Sequence, residues 1–185
     1  MIFHETKLAG AFIVELDRRT DLRGFFARSF CSAEFREHGI DFTPAQANIS
    51  HSTLKGTLRG MHYQGAPVSE TKFIRCIRGA VWDVIIDMRP ESTTYRQHLG
   101  VELSADNGRA IYVPDNFAHG NQALTDDAEL FYLMGGPYTP GHERAVRFDD
   151  PAIGIEWPLP VTVIDQKDSN WPLLDRSAAQ GEEAV

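Results

Sequence analysis

Residues 72–87 are Lys-Phe-Ile-Arg-Cys-Ile-Arg-Gly-Ala-Val-Trp-Asp-Val-Ile-Ile-Asp, which form two short apolar runs separated by Arg78-Gly79. Both runs are rich in β-branched and aromatic residues, and such runs favour strands in which alternate side chains face opposite sides. Glycine between them supplies the positive φ that hairpin turns need. The stretch therefore predicts two strands, Lys72 to Ile77 and Val81 to Asp87, joined by a tight turn.

The same pattern continues along most of the chain, where glycine and proline separate short alternating runs. Asn107-Gly108 predicts a second tight turn. So many short strands are typical of a sandwich or jelly roll, so the predicted fold class is all-β. The other predicted strands are Ala11 to Leu16, Gly24 to Phe30, Ala45 to His51, Gly56 to Tyr63, Leu99 to Leu103, Ala110 to Val113, Gln122 to Leu124, Glu129 to Met134 and Arg144 to Phe148.

One short helix interrupts the predicted strands. Ser32 can cap it, Glu34 lies in its positive first turn, Phe35 can face inward and Gly39 can end it. From Asp150 onward the alternation gives way to several prolines. This change predicts a C-terminal segment that wraps across the surface.

Length and composition restrict the class of protein. The 185 residues suit a single domain, predicted over 1–177, with a disordered tail at 178–185. The formal net charge of -8 disfavours nucleic acid as a partner. No apolar run approaches the length of a membrane span, and residues 1–5 do not resemble a signal peptide, so we expect a cytoplasmic protein without membrane contact. Two cysteines are too few for a disulfide framework.

His62 is the first candidate for chemistry, and it lies three positions after Arg59 in a predicted strand. A regular strand would place these two side chains on opposite faces. Gly60 must therefore form a bulge if both side chains contact one ligand. Taken alone, His62 could be a catalytic base or a structural histidine.

Lys72 shares a predicted strand face with apolar residues, and an unpaired buried ammonium is costly. The lysine could serve a ligand, or it could occupy an edge position or form a surface salt bridge. Asp83 could orient Lys72 or end in solvent. Tyr132 could be a buried phenol with a hydrogen-bond partner or a core residue, and Asp168 could return to the site or remain in a solvated charge pair.

A metal site would need His62, His119 and a carboxylate to converge, because the sequence has no His-x-His pair of the kind that supplies metal ligands in many cupins. It also has no Gly-x-Gly-x-x-Gly or P-loop pattern for a cofactor. We therefore expect side chains to supply the chemistry.

A set of motifs in a fixed order resembles the dTDP-4-dehydrorhamnose 3,5-epimerase family from about residue 3 to residue 175. The resemblance implies a cupin-type jelly-roll barrel, a homodimer, no metal or cofactor, and a nucleoside diphosphate-4-keto-6-deoxyhexose as substrate. The motifs are Arg23-Gly24-Phe25-Phe26, the run from Gly56 to Gln64, Phe117-Ala118-His119-Gly120, Asp149-Asp150-Pro151 and Lys167-Asp168.

The resemblance also implies roles for individual residues. His62 corresponds to the base beside the ketone, Asp168 to its carboxylate partner, Lys72 to the lysine that stabilises the enolate, and Tyr132 to the acid on the opposite face. Tyr138 corresponds to an aromatic residue that stacks on the nucleobase. The remaining expected substrate contacts are Arg23, Arg28, Gln46, Asn48, Arg59, His119, Glu143 and Lys167.

The chain departs from the family pattern at three binding positions. Arg28 stands where a glutamate is usual, Ala47 replaces an aspartate, and Asn121 replaces an aromatic residue. These departures leave open a different nucleotide, such as a CDP- or GDP-linked one, or a different sugar. The sequence does not separate epimerisation at C3 and C5 from epimerisation at C3 alone. The other classes that remain open are a non-catalytic sugar-binding cupin and a metal-dependent cupin oxygenase.

Overall fold

The computed structural model describes residues 1–68 and 70–174, and its main feature is a pair of six-stranded sheets. The first sheet contains, in spatial order, β1 (Ile2–Glu5), β2 (Phe12–Glu15), β10 (Ala110–Val113), β7 (Lys72–Arg78), β12 (Ala128–Met134) and β5 (Gln46–Ser52). The second contains β13 (Glu143–Ala145), β6 (Thr57–Gln64), β11 (Phe117–Ala123), β8 (Ala80–Asp87) and β9 (His98–Ser104), with β14 (Val163–Ile164) also paired to β6. A separate hairpin consists of β3 (Arg19–Asp21) and β4 (Gly24–Phe26).

The all-β class is confirmed, but over the ranges described the two sheets do not join into the closed barrel that the sequence suggested. Their facing sides instead enclose the largest apolar core, which includes Ile74 and Ile111 from the first sheet and Ile85 and Leu103 from the second. All four side chains are completely buried. Because burying one such side chain contributes about 1.5–3 kcal/mol, this core is the main force that holds the sheets together.

The turn at Arg78-Gly79 exists, and Gly79 has the expected positive φ of 67°. The hairpin prediction is nevertheless wrong, because β7 pairs within the first sheet and β8 within the second. Gly108, with φ 65°, connects β9 to β10 between sheets in the same way. Each glycine turn therefore carries the chain across the core, since local alternation specifies strands but not their partners.

Most predicted strands occur within one or two residues of their expected bounds. The strand expected at Gly24 to Phe30 ends at Phe26, and β11 begins five residues before its expected start at Gln122. β1, β3 and β14 were not predicted. The last two contain only three and two residues, which is too short for an alternation pattern to indicate them.

The predicted helix is α1 (Ser32–Glu37), and it packs on the outer face of the first sheet. Phe35 is fully buried and Gly39 follows the helix with φ 73°, as predicted. The predicted cap is wrong: Cys31 occupies the N-cap position, its side chain makes no capping hydrogen bond, and Ser32 is the first helical residue. Aromatic packing of Phe35 holds the helix in place in the absence of a cap.

The C-terminal segment wraps across the second sheet, as predicted. Gln122 accepts a hydrogen bond from the backbone N–H of Leu159 at 3.0 Å and donates one to its carbonyl at 2.8 Å. The segment then adds β14 to β6 and ends in a short helix, α2 (Gln166–Ser169), which Asp165 caps. The predicted tail at 178–185 lies outside the described residues. Within those residues, no helix is long and apolar enough to cross a membrane.

Candidate active site

A bulge in β6 creates the centre of the site. The pairing with β11 moves from His119 opposite His62 to Asn121 opposite Arg59, so β6 contains one more residue than β11 over this span. Gly60 provides the extra residue with φ 115°. Arg59 and His62 consequently line the same cavity, which confirms the predicted bulge.

This cavity has a volume of about 580 Å³ and lies between the two sheets. The second sheet and the wrapping segment supply one wall, and β5, β7 and β12 of the first sheet supply the other. Seven of the expected catalytic and substrate-contacting residues line it: Asn48, Arg59, His62, Lys72, His119, Tyr132 and Asp168.

His62 and Asp168 form a close pair, with Nε2 and Oδ1 2.6 Å apart. The other carboxylate oxygen accepts a hydrogen bond from the Gly60 N–H at 3.0 Å. Asp168 is buried whereas half of the His62 side chain is exposed to the cavity. Burial alone would raise the pKa of the Asp168 carboxyl, but the bonds from His62 and Gly60 keep that pKa below its ordinary value. The pair therefore offers an oriented imidazole beside an ionised carboxylate.

A second histidine–aspartate pair lies deeper, where His119 Nε2 is 2.8 Å from Asp83 Oδ2. Asp83 is completely buried, and burial raises the pKa of its carboxyl against the opposing effect of His119. Both roles considered for Asp83 are therefore wrong, because it neither contacts Lys72 nor ends in solvent. The alternation of β8 in the sequence indicates which face of the strand Asp83 shares. It does not indicate the pairing of β8 with β11, which places Asp83 beside His119.

Lys72 is buried at the cavity wall, and its ammonium lies 2.8 Å from the Glu70 carboxylate. The contact is an ion pair by distance, and within the described residues the Lys72 ammonium makes no hydrogen bond. Glu70 was not singled out from the sequence. Its position two residues before Lys72 was the available signal, since a buried ammonium requires a compensating charge.

Tyr132 occupies the wall opposite His62, on β12 of the first sheet. The His119 ring meets it edge-on, with centroids 5.9 Å apart, and the Asn121 amide nitrogen is 3.5 Å from its hydroxyl. Burial, followed by the nearby Asp83 carboxylate, raises the pKa of the phenol. Tyr132 is therefore protonated at neutral pH and can supply a proton.

A second cavity of about 480 Å³ continues from the first and shares Arg59, His62 and Asp168 with it. It contains the three predicted contacts Tyr138, Glu143 and Lys167, and the Tyr138 hydroxyl donates a hydrogen bond to Glu143. Trp171 also lines this cavity, although the sequence did not single it out.

Three of the expected substrate contacts line neither of these two cavities: Arg23, Arg28 and Gln46. Arg23 is highly exposed and pairs with Asp21 at 2.5 Å, and Arg28 pairs with Glu34 at 2.5 Å. Over residues 1–68 and 70–174, no group of three or more His, Cys, Asp and Glu side chains is arranged to hold a metal ion.

Comparison with known proteins identifies the family. A family model described as dTDP-4-dehydrorhamnose 3,5-epimerase matches residues 5–176. Relatives with this name from Sinorhizobium fredii and Methanothermobacter thermautotrophicus are 39% and 41% identical, cover 94% and 93% of this chain, and are themselves covered over 90% and 94% of their lengths.

The fold agrees with this similarity. The crystal structure of a Bacillus anthracis dTDP-4-dehydrorhamnose 3,5-epimerase, with TDP and PPi bound, is similar at a TM-score of 0.90 and 36% identity. The similarity covers 94% of this chain and 99% of the other. The chain belongs to the dTDP-4-dehydrorhamnose 3,5-epimerase family.

Proposed function

We propose that this protein is an isomerase that inverts C3 and C5 of dTDP-4-keto-6-deoxyglucose, the reaction named by the relatives it resembles. The observation that carries the proposal is that one cavity holds the His62–Asp168 pair on one wall and the Tyr132 phenol on the other. Inverting a carbon beside a ketone needs a group that removes a proton from one face and a group that supplies one to the opposite face. The two walls meet this requirement.

His62 is the proposed base. Asp168 holds the ring in one tautomer and stabilises the imidazolium that forms when the proton leaves carbon. A positioned general base typically contributes about 10²- to 10⁴-fold to the rate. Because C3 and C5 both flank the C4 ketone, the same base can serve each carbon in turn.

Lys72 is the proposed electrophile. Removing the proton moves negative charge onto the C4 oxygen, and an ammonium in a buried cavity stabilises that enolate. A preorganised donor of this kind contributes about 10²- to 10³-fold. Tyr132 then donates its proton to the enolate carbon from the face opposite His62, the carbonyl re-forms, and the inverted centre results.

The second cavity is the proposed site for the nucleotide. The Tyr138 ring can stack on the base, and the cations Arg59 and Lys167 can bind the diphosphate. A bound TDP in the Bacillus anthracis relative supports a thymidine nucleotide as the partner. His119, Asn48 and Glu143 complete the proposed contacts around the sugar and the nucleotide.

We propose further that the two sheets form a cupin-type jelly roll within a single domain, 1–177, and that the protein is a cytoplasmic homodimer. Exposed apolar side chains on and beside the β3–β4 hairpin, Leu22 and Phe26, support association. Arg23 and Arg28 lie near this hairpin and outside the cavities of their own chain. In the proposed dimer, these two arginines therefore line a cavity of the partner subunit.

Analytical ultracentrifugation tests the homodimer. We expect the wild-type protein to sediment at twice the chain mass and the Phe26→Glu variant to sediment as a monomer. An exposed position away from the hairpin, Glu102→Gln, is the control and should leave the dimer intact. A wild-type monomer at micromolar concentration would contradict the proposal.

Incubation with dTDP-4-keto-6-deoxyglucose in deuterated water tests the activity. NMR should show deuterium entering C3 and C5 with inversion at both carbons, and His62→Ala should abolish both exchanges. Exchange at C3 alone would replace the proposal with a 3-epimerase. If the dTDP sugar shows no exchange and a CDP- or GDP-linked analogue does, the proposal of a dTDP-linked substrate would be replaced by one with that nucleotide.

A further inference from the structure

Asn121 is the one buried amide side chain of β11 that faces the larger cavity, and it directly follows the bulge. Only 2% of the residue is exposed. Its Nδ2 donates a long hydrogen bond of 3.5 Å to the Tyr132 hydroxyl. On β11 it lies between Arg59 of β6 and Asp83 of β8, because it is the register partner of both.

The surroundings of Tyr132 explain why a hydrogen-bond donor beside its hydroxyl affects the reaction. When the phenol gives its proton to carbon, a phenolate remains in a buried site close to the Asp83 carboxylate. Like charges at short range disfavour that product, and so does burial. A neutral amide N–H opposes both effects, because a donor interacts more strongly with a phenolate than with a phenol. The same bond helps to fix the position of the hydroxyl oxygen.

We infer that Asn121 is a positioning residue that holds the Tyr132 hydroxyl and stabilises its phenolate, and thereby sets how often the enolate is protonated on the inverted face. The inference rests on the proposed function. In each turnover the proton removed by His62 passes to water, Tyr132 transfers its own proton to carbon, and the phenolate regains a proton from water. No other reactant is needed.

The competing fate of the enolate makes the inference measurable. In deuterated water, His62 can return a deuteron to the face from which it took the proton, which gives exchange without inversion. Tyr132 gives exchange with inversion. The ratio of the two products at each carbon therefore reports the acid step alone, whereas a general structural defect lowers both products together.

Two variants separate shape from hydrogen bonding. Asn121→Asp keeps the shape but replaces the donor with a carboxylate, and Asn121→Leu keeps a similar volume without any polar atom. For both we expect total exchange within about threefold of the wild type and inversion reduced about tenfold or more, the size expected for a lost bond to a charged group. Tyr132→Phe is the reference and should show exchange almost entirely without inversion.

The outcomes are distinct. A raised ratio of retained to inverted product in Asn121→Asp supports the inference, even if Asn121→Leu fails to fold. An unchanged ratio in a folded variant, checked by its thermal melting, overturns it, and so does an equal loss of both products. If the wild-type protein shows no exchange with any of the nucleotide sugars, the proposed function itself is wrong. That outcome is seen in the wild type, so it is distinct from a failure of the inference about Asn121.

Discussion

At the scale of single residues, the candidate base depends on a partner that is distant in the chain. Asp168 lies 106 positions after His62, yet the two side chains are 2.6 Å apart. The carboxylate also binds the Gly60 N–H, so it ties the bulge and the base together. Removing its charge should therefore affect the orientation of His62 more than the stability of the fold.

The Asp168→Asn variant tests this dependence. An amide at this position favours the wrong tautomer of His62 and cannot stabilise the imidazolium, so kcat should fall about 10²-fold or more. Deuterium exchange at C3 and C5 is the measurement. Ser169→Ala in the same short helix is the matched control and should retain at least half of the wild-type rate. Full exchange by Asp168→Asn would remove the dyad from the mechanism.

Residue parity predicted part of this site. It indicated the bulge at Gly60 and the inward direction of Lys72, because alternation fixes which side chains share a face. The pairing of Asp168 with His62 came from the resemblance to a family. Glu70 and the role of Asp83 were missed, because their contacts depend on loop geometry and cross-strand register, which alternation within one strand does not specify.

At the scale of elements, the bulge depends on two glycines that face each other across β6 and β11. A Cβ at Gly60 would lie 2.5 Å from the Gly120 Cα and 2.7 Å from the His119 carbonyl oxygen. These are backbone atoms, so the contact cannot be relieved by a side-chain rotation. The two strands can approach this closely only because both positions lack side chains.

The Gly60→Ala variant should consequently lose about 3 kcal/mol or more of the free energy of unfolding, from strain at φ 115° and from overpacking. Gly154→Ala is the matched control. It has a positive φ of 69° but nothing within 4 Å of an added Cβ, so it should lose only about 1 kcal/mol. Urea unfolding followed by circular dichroism measures both. Equal losses would show that backbone strain alone, without the close approach, accounts for the effect.

The end of β8 provides a prediction about pH. Asp87 is completely buried, which alone would raise its pKa, but bonds from Arg89, Ser92 and Thr94 lower that pKa from 3.8 to about 2. Since the folded value is below the unfolded one, Asp87 stabilises the protein above about pH 4, and this contribution disappears as the pH falls toward 2. The difference corresponds to about 2 kcal/mol.

The Asp87→Asn variant should therefore be less stable at pH 7 and should lose less additional stability between pH 5 and pH 2 than the wild type. Urea unfolding at a series of pH values measures this slope. Asp106→Asn, at an exposed turn position, is the control. A variant whose slope equals that of the wild type would show that Asp87 is not the titrating group.

Elements also show the limit of prediction from local pattern. β10 has the predicted bounds, and β7, β8 and β12 differ from theirs by a single residue. Their arrangement was not predictable in this way, because the turns at Gly79 and Gly108 look like hairpin turns but connect different sheets. Which strands pair depends on the packing of two complete faces, and no window of ten residues contains that information.

At the scale of the whole molecule, the wrapping segment closes the site from the far end of the chain. Gln122 is fully buried and anchors the segment through two bonds to Leu159. Beyond this anchor the segment pairs β14 with β6 and delivers Asp168 to His62. The geometry of the candidate site therefore depends on a contact on the opposite side of the second sheet.

The Gln122→Leu variant tests that dependence. It leaves two half-buried backbone groups of Leu159 unpaired, which costs about 1–3 kcal/mol for each group that finds no water. We expect faster hydrogen exchange over 155–168 and activity reduced at least tenfold, with less change in the rest of the second sheet. Thr162→Val, which removes one exposed bond from the same segment, is the control and should have a smaller effect on both measurements. Unchanged exchange in Gln122→Leu would show that the other contacts of the segment, including β14 and the Thr162 bond, are enough to anchor it.

The separation of 106 positions between His62 and Asp168 also has a consequence for biosynthesis. During translation, chains grow at about 5–20 residues per second, so Asp168 is added about 5 to 20 s after His62. Until then the nascent chain carries an imidazole without its carboxylate, and before residues 143–164 are added the edge of β6 also lacks β13 and β14. An unpaired strand edge of this kind is prone to association with other chains. The ribosome-bound precursor is therefore expected to be inactive and to be the form that most needs a chaperone.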